Sequence, residues 1–92
     1  MKLTDLGTYR YTSSVDGSSV RRAGHGLPIQ QLCKKLGMTR QNLMLHFRIA
    51  FCGITENNHR AVAVGKLEFT VVTFTSIEGR FYVTFTLEEV KE

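Results

Sequence analysis

Hydrophobic periodicity changes along this 92-residue chain, from a helical spacing in the middle to simple alternation in the C-terminal third. Between residues 29 and 36, apolar side chains recur at i, i+3, i+4 and i+7 as Ile29, Leu32, Cys33 and Leu36. That spacing predicts a helix with a single apolar stripe. Pro28 suits the first turn of this helix, because a backbone N–H there would have no helical partner.

A second helix is predicted directly after the first. Gly37 suits the left-handed C-cap that ends the first helix, and Thr39 is a natural N-cap for the next one. The second helix is expected to run to about Phe51, after a turn of only three or four residues that favours a crossing pair. Its expected core stripe is Leu43, Phe47, Ala50 and Phe51.

Alternation of apolar and polar residues predicts strands on both sides of the helices. In the C-terminal part they are expected at 61–64, 67–75 and 80–90, which are rich in Val, Phe, Tyr and Thr. In the N-terminal part, residues 8–22 are predicted to form a hairpin that turns at Asp16-Gly17. Residues 23–26 are expected to be a flexible glycine linker.

The predicted fold is therefore an α+β single domain over residues 1–92. It consists of an N-terminal β-hairpin at 8–22, a central helix-turn-helix pair at 28–52 and a C-terminal antiparallel β-sheet at 60–90. A chain of this length buries a small core, so a partner subunit is plausible from size alone.

The last hairpin leaves two registers open. Residues 76–79 are predicted as a type I turn closed by a glycine in the left-handed region. One register sets Phe74 beside Tyr82, and a register shifted by one residue sets Phe74 opposite Phe81 instead. The first places more apolar residues on one face but still leaves apolar side chains on the other. A homodimer is therefore expected, with an interface formed by Val72, Phe74 and Tyr82.

Positive charge is concentrated in the middle of the chain. Between Asp16 and Glu56 there is no acidic residue, whereas the same stretch holds six Lys and Arg residues. A local positive field of this kind is typical of a face that binds phosphates. It marks Arg21 and Arg22 as candidate phosphate contacts.

The segment at residues 32–43 resembles the helix-turn-helix of phage-repressor-like and tetracycline-repressor-like DNA-binding proteins. The small residue Cys33 lies four positions before Gly37, and the family's buried positions are apolar here. The resemblance covers about 20 of the 92 residues. The apolar residues that match are Leu32, Leu36, Met38 and Leu43.

The resemblance implies which residues would contact double-stranded DNA. Base contacts would fall at the start of the second helix, since Arg and Gln can pair with guanine and adenine edges in the major groove. Lysines and arginines nearby would hold phosphate oxygens. The implied base contacts are Thr39, Arg40, Gln41 and Met44, and the implied phosphate contacts are Lys34, Lys35 and Arg48.

Two features depart from that family. The usual preceding helix is replaced here by a predicted hairpin, so the sheet would have to cover the helix pair. In addition, Leu45, Ile49 and Cys52 lie opposite the core stripe of the second helix. Either Met44 and Leu45 touch thymine methyl groups, or this face packs on the sheet or on a partner.

Other classes of function find little support. Two cysteines are too few for a disulfide framework, no run approaches ~20 apolar residues, and the N-terminus lacks a signal-peptide pattern. The chain is therefore expected to be intracellular (cytoplasmic), without a membrane partner. No cofactor, metal or enzymatic activity is expected, because no catalytic motif is present and the soft ligands fit no common zinc spacing. Those ligands are Cys33, His46, Cys52 and His59.

The leading interpretation is a small sequence-specific DNA-binding regulator of transcription, of the phage or mobile-element type and without a catalytic site. The alternative is a phage- or virus-encoded interaction protein that binds a host protein or nucleoprotein complex. RNA binding is a third interpretation, in which Tyr9 and Tyr11 would stack on bases.

Overall fold

The computed structural model of the chain describes residues 2–14, 17–52, 54 and 62–91. Its five strands form one antiparallel sheet in the order β2-β1-β5-β4-β3, and both helices lie against one face of that sheet. The elements, in chain order, are β1 Lys2–Ser14, β2 Gly17–Gly26, α1 Ile29–Leu36, α2 Arg40–Phe51, β3 Val62–Val64, β4 Leu67–Ile77 and β5 Arg80–Lys91.

The predicted α+β arrangement of hairpin, helix-turn-helix and separate sheet is wrong. The structure is mostly β: of the described residues, 61% lie in strands and 25% in helices, and the two helices are short. Strand β1 begins at Lys2 and pairs with β5 almost end to end, from Lys2↔Lys91 to Ser13↔Phe81. The N-terminal hairpin therefore supplies one interior strand and one edge strand of the same sheet, and is not a unit of its own.

The predicted linker at residues 23–26 is also wrong, because β2 continues to Gly26. Gly7 and Gly26 face each other across β1 and β2, with φ of 124° and 121°. A Cβ on Gly26 would lie 2.6 Å from the Cα of Gly7, so only glycine permits this approach of the two backbones. The sequence pattern at residues 23–26 predicts a flexible linker, but Gly26 is required there because β1 and β2 pack closely.

Both hairpin turns differ from the predicted ones. Ser14 pairs with Gly17, so Gly17 belongs to β2 and is not a turn residue, whereas Asp16 of the predicted Asp16-Gly17 turn lies outside the described residues. Between β4 and β5, Glu78 and Gly79 have φ of 51° and 79° and form a two-residue turn of the type I′ kind. Its backbone twist matches that of the flanking strands, so the four-residue type I turn is not formed.

The register of the last hairpin combines parts of both expectations. Val71 pairs with Phe85, as in the first register, but the pairing shifts between residues 71 and 73. This bulge turns Phe74 to the helix side, where it pairs with Val83 and stacks on Phe81 at 5.8 Å between ring centroids. The predicted interface of Val72, Phe74 and Tyr82 is therefore not one surface, because Phe74 and Tyr82 lie on opposite faces.

The helices begin and end where the local signals indicate. Gly37 adopts φ of 68° after α1, and the Thr39 hydroxyl accepts a hydrogen bond from the Asn42 N–H at 3.1 Å. The predicted stripes are buried against the sheet, with Phe47 5.3 Å from Phe85 between ring centroids. The fully buried side chains are Tyr9, Tyr11, Leu32, Leu43, Phe47, Leu67, Phe69, Val83, Phe85 and Leu87.

The other face of the sheet is polar and, among the described residues, carries no helix. Because Tyr9 and Tyr11 point to the helices, the alternate residues of β1 point away from them. Hydroxyl side chains dominate this surface, as is usual for a sheet face that meets water. We call it the open face; it consists of Thr8, Arg10, Thr12, Ser19, Arg21, Glu68, Thr70, Thr73, Thr75, Tyr82, Thr84, Thr86 and Glu88.

Candidate nucleic-acid interface

A groove lies between α2 and the tip of the β1–β2 hairpin. Its volume is about 850 Å³. Three of the four expected base contacts line it, namely Arg40, Gln41 and Met44, together with the expected phosphate contact Arg48. We call it the basic groove; its lining residues are Ser13, Gly17, Ser18, Arg40, Gln41, Asn42, Met44, Leu45 and Arg48.

The geometry of α2 sets the positions of the two groove arginines. Leu43, Phe47 and Ala50 are buried, so the residues between them face outward. Arg40 begins the helix and Arg48 follows eight residues later, which at the helical rise corresponds to about 12 Å along the axis. Both guanidinium groups are exposed and lie on the same groove, so they can contact successive anionic groups of one ligand.

No carboxylate among the described residues neutralises these arginines. Within that part of the chain, the ion pairs are His25–Asp5, Lys66–Glu89 and Lys91–Glu89. None of these residues lines the basic groove. The groove therefore presents uncompensated positive charge beside hydroxyl and amide groups, which is the donor set that phosphate oxygens accept from.

The expected phosphate contact Lys34 adjoins the groove through a second cleft. This cleft lies between α1 and α2, has a volume of about 530 Å³ and is lined by Ile29, Gln30, Cys33, Lys34 and Arg40. Because Arg40 lines both, the cleft and the groove form a continuous basic surface. Lys35 is exposed in the last turn of α1 and lines neither of them.

Thr39 and the β2 arginines are not brought to the groove. Thr39 acts as the cap of α2 and does not line it. Arg21 belongs to the open face, where it pairs with Arg10. Arg22 lies at the edge of the sheet and donates a hydrogen bond to the Gly26 carbonyl at 3.0 Å.

An apolar cleft continues the basic groove along α2. Leu45 and Ile49 are 47% and 54% exposed and lie one turn apart on α2. With Phe81 and Ile54 they surround a cleft of about 460 Å³ that shares Arg48 with the groove. Their face packs on neither the sheet nor a helix within the described residues.

The proposed stacking of bases on Tyr9 and Tyr11 is excluded, because these side chains are 0% and 1% exposed. The Tyr9 hydroxyl lies 2.7 Å from the Leu27 carbonyl and 3.0 Å from the Leu6 carbonyl. Burial raises the pKa of this phenol. Tyr9 therefore joins β1 to the segment that leads into α1 and has a structural role.

Asp5 and His25 join the ends of β1 and β2 away from the groove. The His25 Nε2 lies 2.5 Å from one Asp5 carboxylate oxygen, and the other accepts from the Gly7 N–H at 2.9 Å. The hydrogen bond from His25 lowers the pKa of Asp5. This pair links β1 to β2 beside the two facing glycines, Gly7 and Gly26.

Sequence reasoning missed Ser13, Ser18 and Asn42 as groove residues. The first two reach α2 only through the pairing of β1 with β2, a register that no local pattern reveals. Among the described residues, no three potential ligands are placed to hold a metal ion, and His59 lies outside them. In that same part of the chain, no helix has the length and apolarity needed to cross a membrane.

No protein-family model, curated protein or solved structure matches this chain.

Proposed function

We propose that this protein binds double-stranded DNA through the basic groove and the adjoining surface of Lys34. The observation that supports this most directly is the convergence of Arg40, Gln41 and Arg48 on one groove without a described carboxylate. The free thiols of Cys33 and Cys52 accord with the intracellular location that DNA binding requires.

Phosphate contacts supply most of the proposed binding energy. Arg48, Lys34 and the hydroxyls of Ser13 and Ser18 surround the groove as donors to phosphate oxygens. Each phosphate neutralised by a cation releases counterions, so the logarithm of the affinity falls by about 0.9 per contact for each logarithmic unit of salt. Binding that uses the groove cations must therefore weaken steeply with salt.

Base reading is assigned to the first turn of α2. Arg40 and Gln41 are exposed there, and their side chains have the donor geometry for guanine and adenine edges. Beyond this turn, the exposed residues Leu45 and Ile49 carry no hydrogen-bonding groups on their side chains. Sequence preference is therefore expected to depend on one or two base pairs and to be modest.

The test is a salt titration of duplex binding followed by fluorescence anisotropy. The Lys34→Ser/Arg48→Ser variant is expected to reduce the salt slope by about 1.8, the value for two lost phosphate contacts. The matched control is Lys2→Ser/Lys91→Ser, which removes the same charge from the opposite end of β1 and β5. Equal salt slopes for the two variants, or no duplex binding at low salt, would refute the proposal. Tighter binding to single-stranded DNA or RNA than to duplex DNA would show that the groove binds that nucleic acid instead.

A second candidate function, binding to another protein, is favoured by the exposed pair Leu45 and Ile49. Beside Arg48, these side chains suit a partner helix that carries leucines flanked by carboxylates. A designed amphipathic peptide of that composition should bind the native protein and lose affinity with Ile49→Ser. The control is Ile77→Ser, at a residue 55% exposed on the distant β4–β5 turn. Equal binding by both variants would exclude this candidate.

A further inference from the structure

Two arginines lie directly opposite each other on the open face. Arg10 of β1 pairs with Arg21 of β2, and both side chains are exposed. Like charges in directly opposed positions of a sheet are destabilising. Lys2 and Lys91 are also opposed, but Lys91 lies 3.8 Å from the Glu89 carboxylate, whereas no described carboxylate forms an ion pair with Arg10 or Arg21. Threonine at either arginine position would continue the surrounding hydroxyl surface without the repulsion.

Among the described residues, the immediate neighbours of the pair are hydrogen-bond donors and include no carboxylate. Within the register of the sheet, the neighbours of Arg10 are Thr84 across from it and Thr8 and Thr12 along its own strand. The nearest acidic position on this face along β5 is Glu88, four residues beyond Thr84 and thus about 13 Å away. That distance exceeds the screening length of about 8 Å at physiological salt, so Glu88 does not neutralise the pair.

Two guanidinium groups with hydroxyls around them match the oxygens of a phosphodiester. Guanidinium donors are arranged as a planar fork that binds phosphate through two parallel hydrogen bonds. An anion held between Arg10 and Arg21 would also remove their mutual repulsion. The chemistry is that of the basic groove, but the location is the other side of the sheet.

We propose that Arg10 and Arg21 form a second phosphate-binding site, and that one molecule thereby holds two DNA duplexes, one on each face of its sheet. This inference rests on the proposed function of the basic groove. The groove and the open face are on opposite sides of the sheet, so the two sites face away from each other. The protein would then bring two DNA segments together as a monomer.

The experiment measures energy transfer between a donor-labelled and an acceptor-labelled duplex, with single-duplex anisotropy in parallel. Native protein is expected to bind either labelled duplex alone. When both duplexes are present, it is expected to hold them together and to produce energy transfer between their labels. Arg10→Thr/Arg21→Thr should keep the affinity for a single duplex within about twofold of native but abolish energy transfer. The reason is that binding of the second duplex, on the open face, loses two phosphate contacts and with them a salt slope of about 1.8. The control Lys2→Thr/Lys91→Thr, another opposed pair of cations, should retain transfer.

The possible results separate the two claims. Duplex binding by native protein without transfer would overturn the second site and leave the groove proposal standing, whereas no duplex binding at all would overturn both. Transfer that survives Arg10→Thr/Arg21→Thr, or that tracks a dimer in sedimentation, would show that bridging has another source. Thermal melts check that Arg10→Thr/Arg21→Thr is folded. Its melting temperature is expected to be no lower than that of native protein, because the repulsion between the arginines is removed. If it is lower, the single variant Arg21→Thr is used in its place.

Discussion

Replacement of Gly26 by alanine tests the most specific packing feature of this fold. A Cβ at this position would lie 2.6 Å from both the Gly7 Cα and the Leu6 carbonyl oxygen. Both contacts are with backbone, so β1 and β2 would have to separate locally. The φ of 121° is also one that alanine adopts only under strain.

The expected cost follows from these two effects. A non-glycine residue in such a backbone region costs about 1–3 kcal/mol, and a forced steric overlap in a packed site adds about 1–3 kcal/mol. Gly26→Ala should therefore lose about 2–6 kcal/mol. A domain of 92 residues has a total stability of about 5–14 kcal/mol, so much of it would be lost.

Gly17→Ala is the matched control. Gly17 has a comparable φ of 138°, but a Cβ there would meet nothing within 4 Å. Only the backbone strain should appear, at about 1–3 kcal/mol. Urea unfolding of both variants, followed by circular dichroism, gives the two free energies of unfolding. Equal losses would refute the close packing of β2 on β1 and restore a flexible segment at residues 23–26.

Three further predictions concern stability. Phe47→Ala should cost about 3–5 kcal/mol in urea unfolding because its ring is fully buried in the aromatic core; a loss below about 1 kcal/mol would contradict that core. Tyr9→Phe should cost about 1–2 kcal/mol in the same assay, since the Leu27 carbonyl loses its donor. Asp5 contributes stability above its ordinary pKa of 3.8, because His25 lowers its folded pKa. Native protein should therefore exceed Asp5→Asn in stability near neutral pH and lose that advantage as the pH falls below 3.8; a pH-independent difference would contradict the pairing.

The helices could be predicted because their signals are local. Pro28, Gly37 and Thr39 act on the backbone within a few residues, and the apolar stripe between them has a helical period. The strands at the C-terminus were likewise predicted near their observed bounds, although residue 61 lies outside the described residues. Burial of Leu43 and Phe47 followed from the same periodicity.

The sheet as a whole could not be predicted, because its organisation depends on contacts that are distant in sequence. The facing of Gly7 and Gly26 is visible only when β1 and β2 are paired, and without it their glycines indicate a linker. The bulge between Val71 and Thr73 has no local signature, yet it decides which face Phe74 occupies. The two helices were located correctly, but the predicted arrangement of hairpin, helix-turn-helix pair and separate sheet was wrong for the same reason.

The candidate site was predictable in part. Arg40, Gln41 and Arg48 lie within two helical turns and one unbroken pattern, so their common face could be deduced. The sequence did not predict which arginines lie in the groove and which lie on the open face, because this depends on strand alternation in β1 and β2. Positive charge that is continuous in sequence is distributed over opposite faces of the molecule.

The most direct test of the central claim is an NMR titration of labelled protein with up to one equivalent of duplex DNA. The amides of Ser13 and Ser18 and the side-chain Nε–H groups of Arg40 and Arg48 should shift together, with little change in β3 at Val62–Val64. Saturation should weaken with added salt. Shifts confined to residues outside the basic groove, or no shifts at low salt, would contradict the claim that this groove binds DNA.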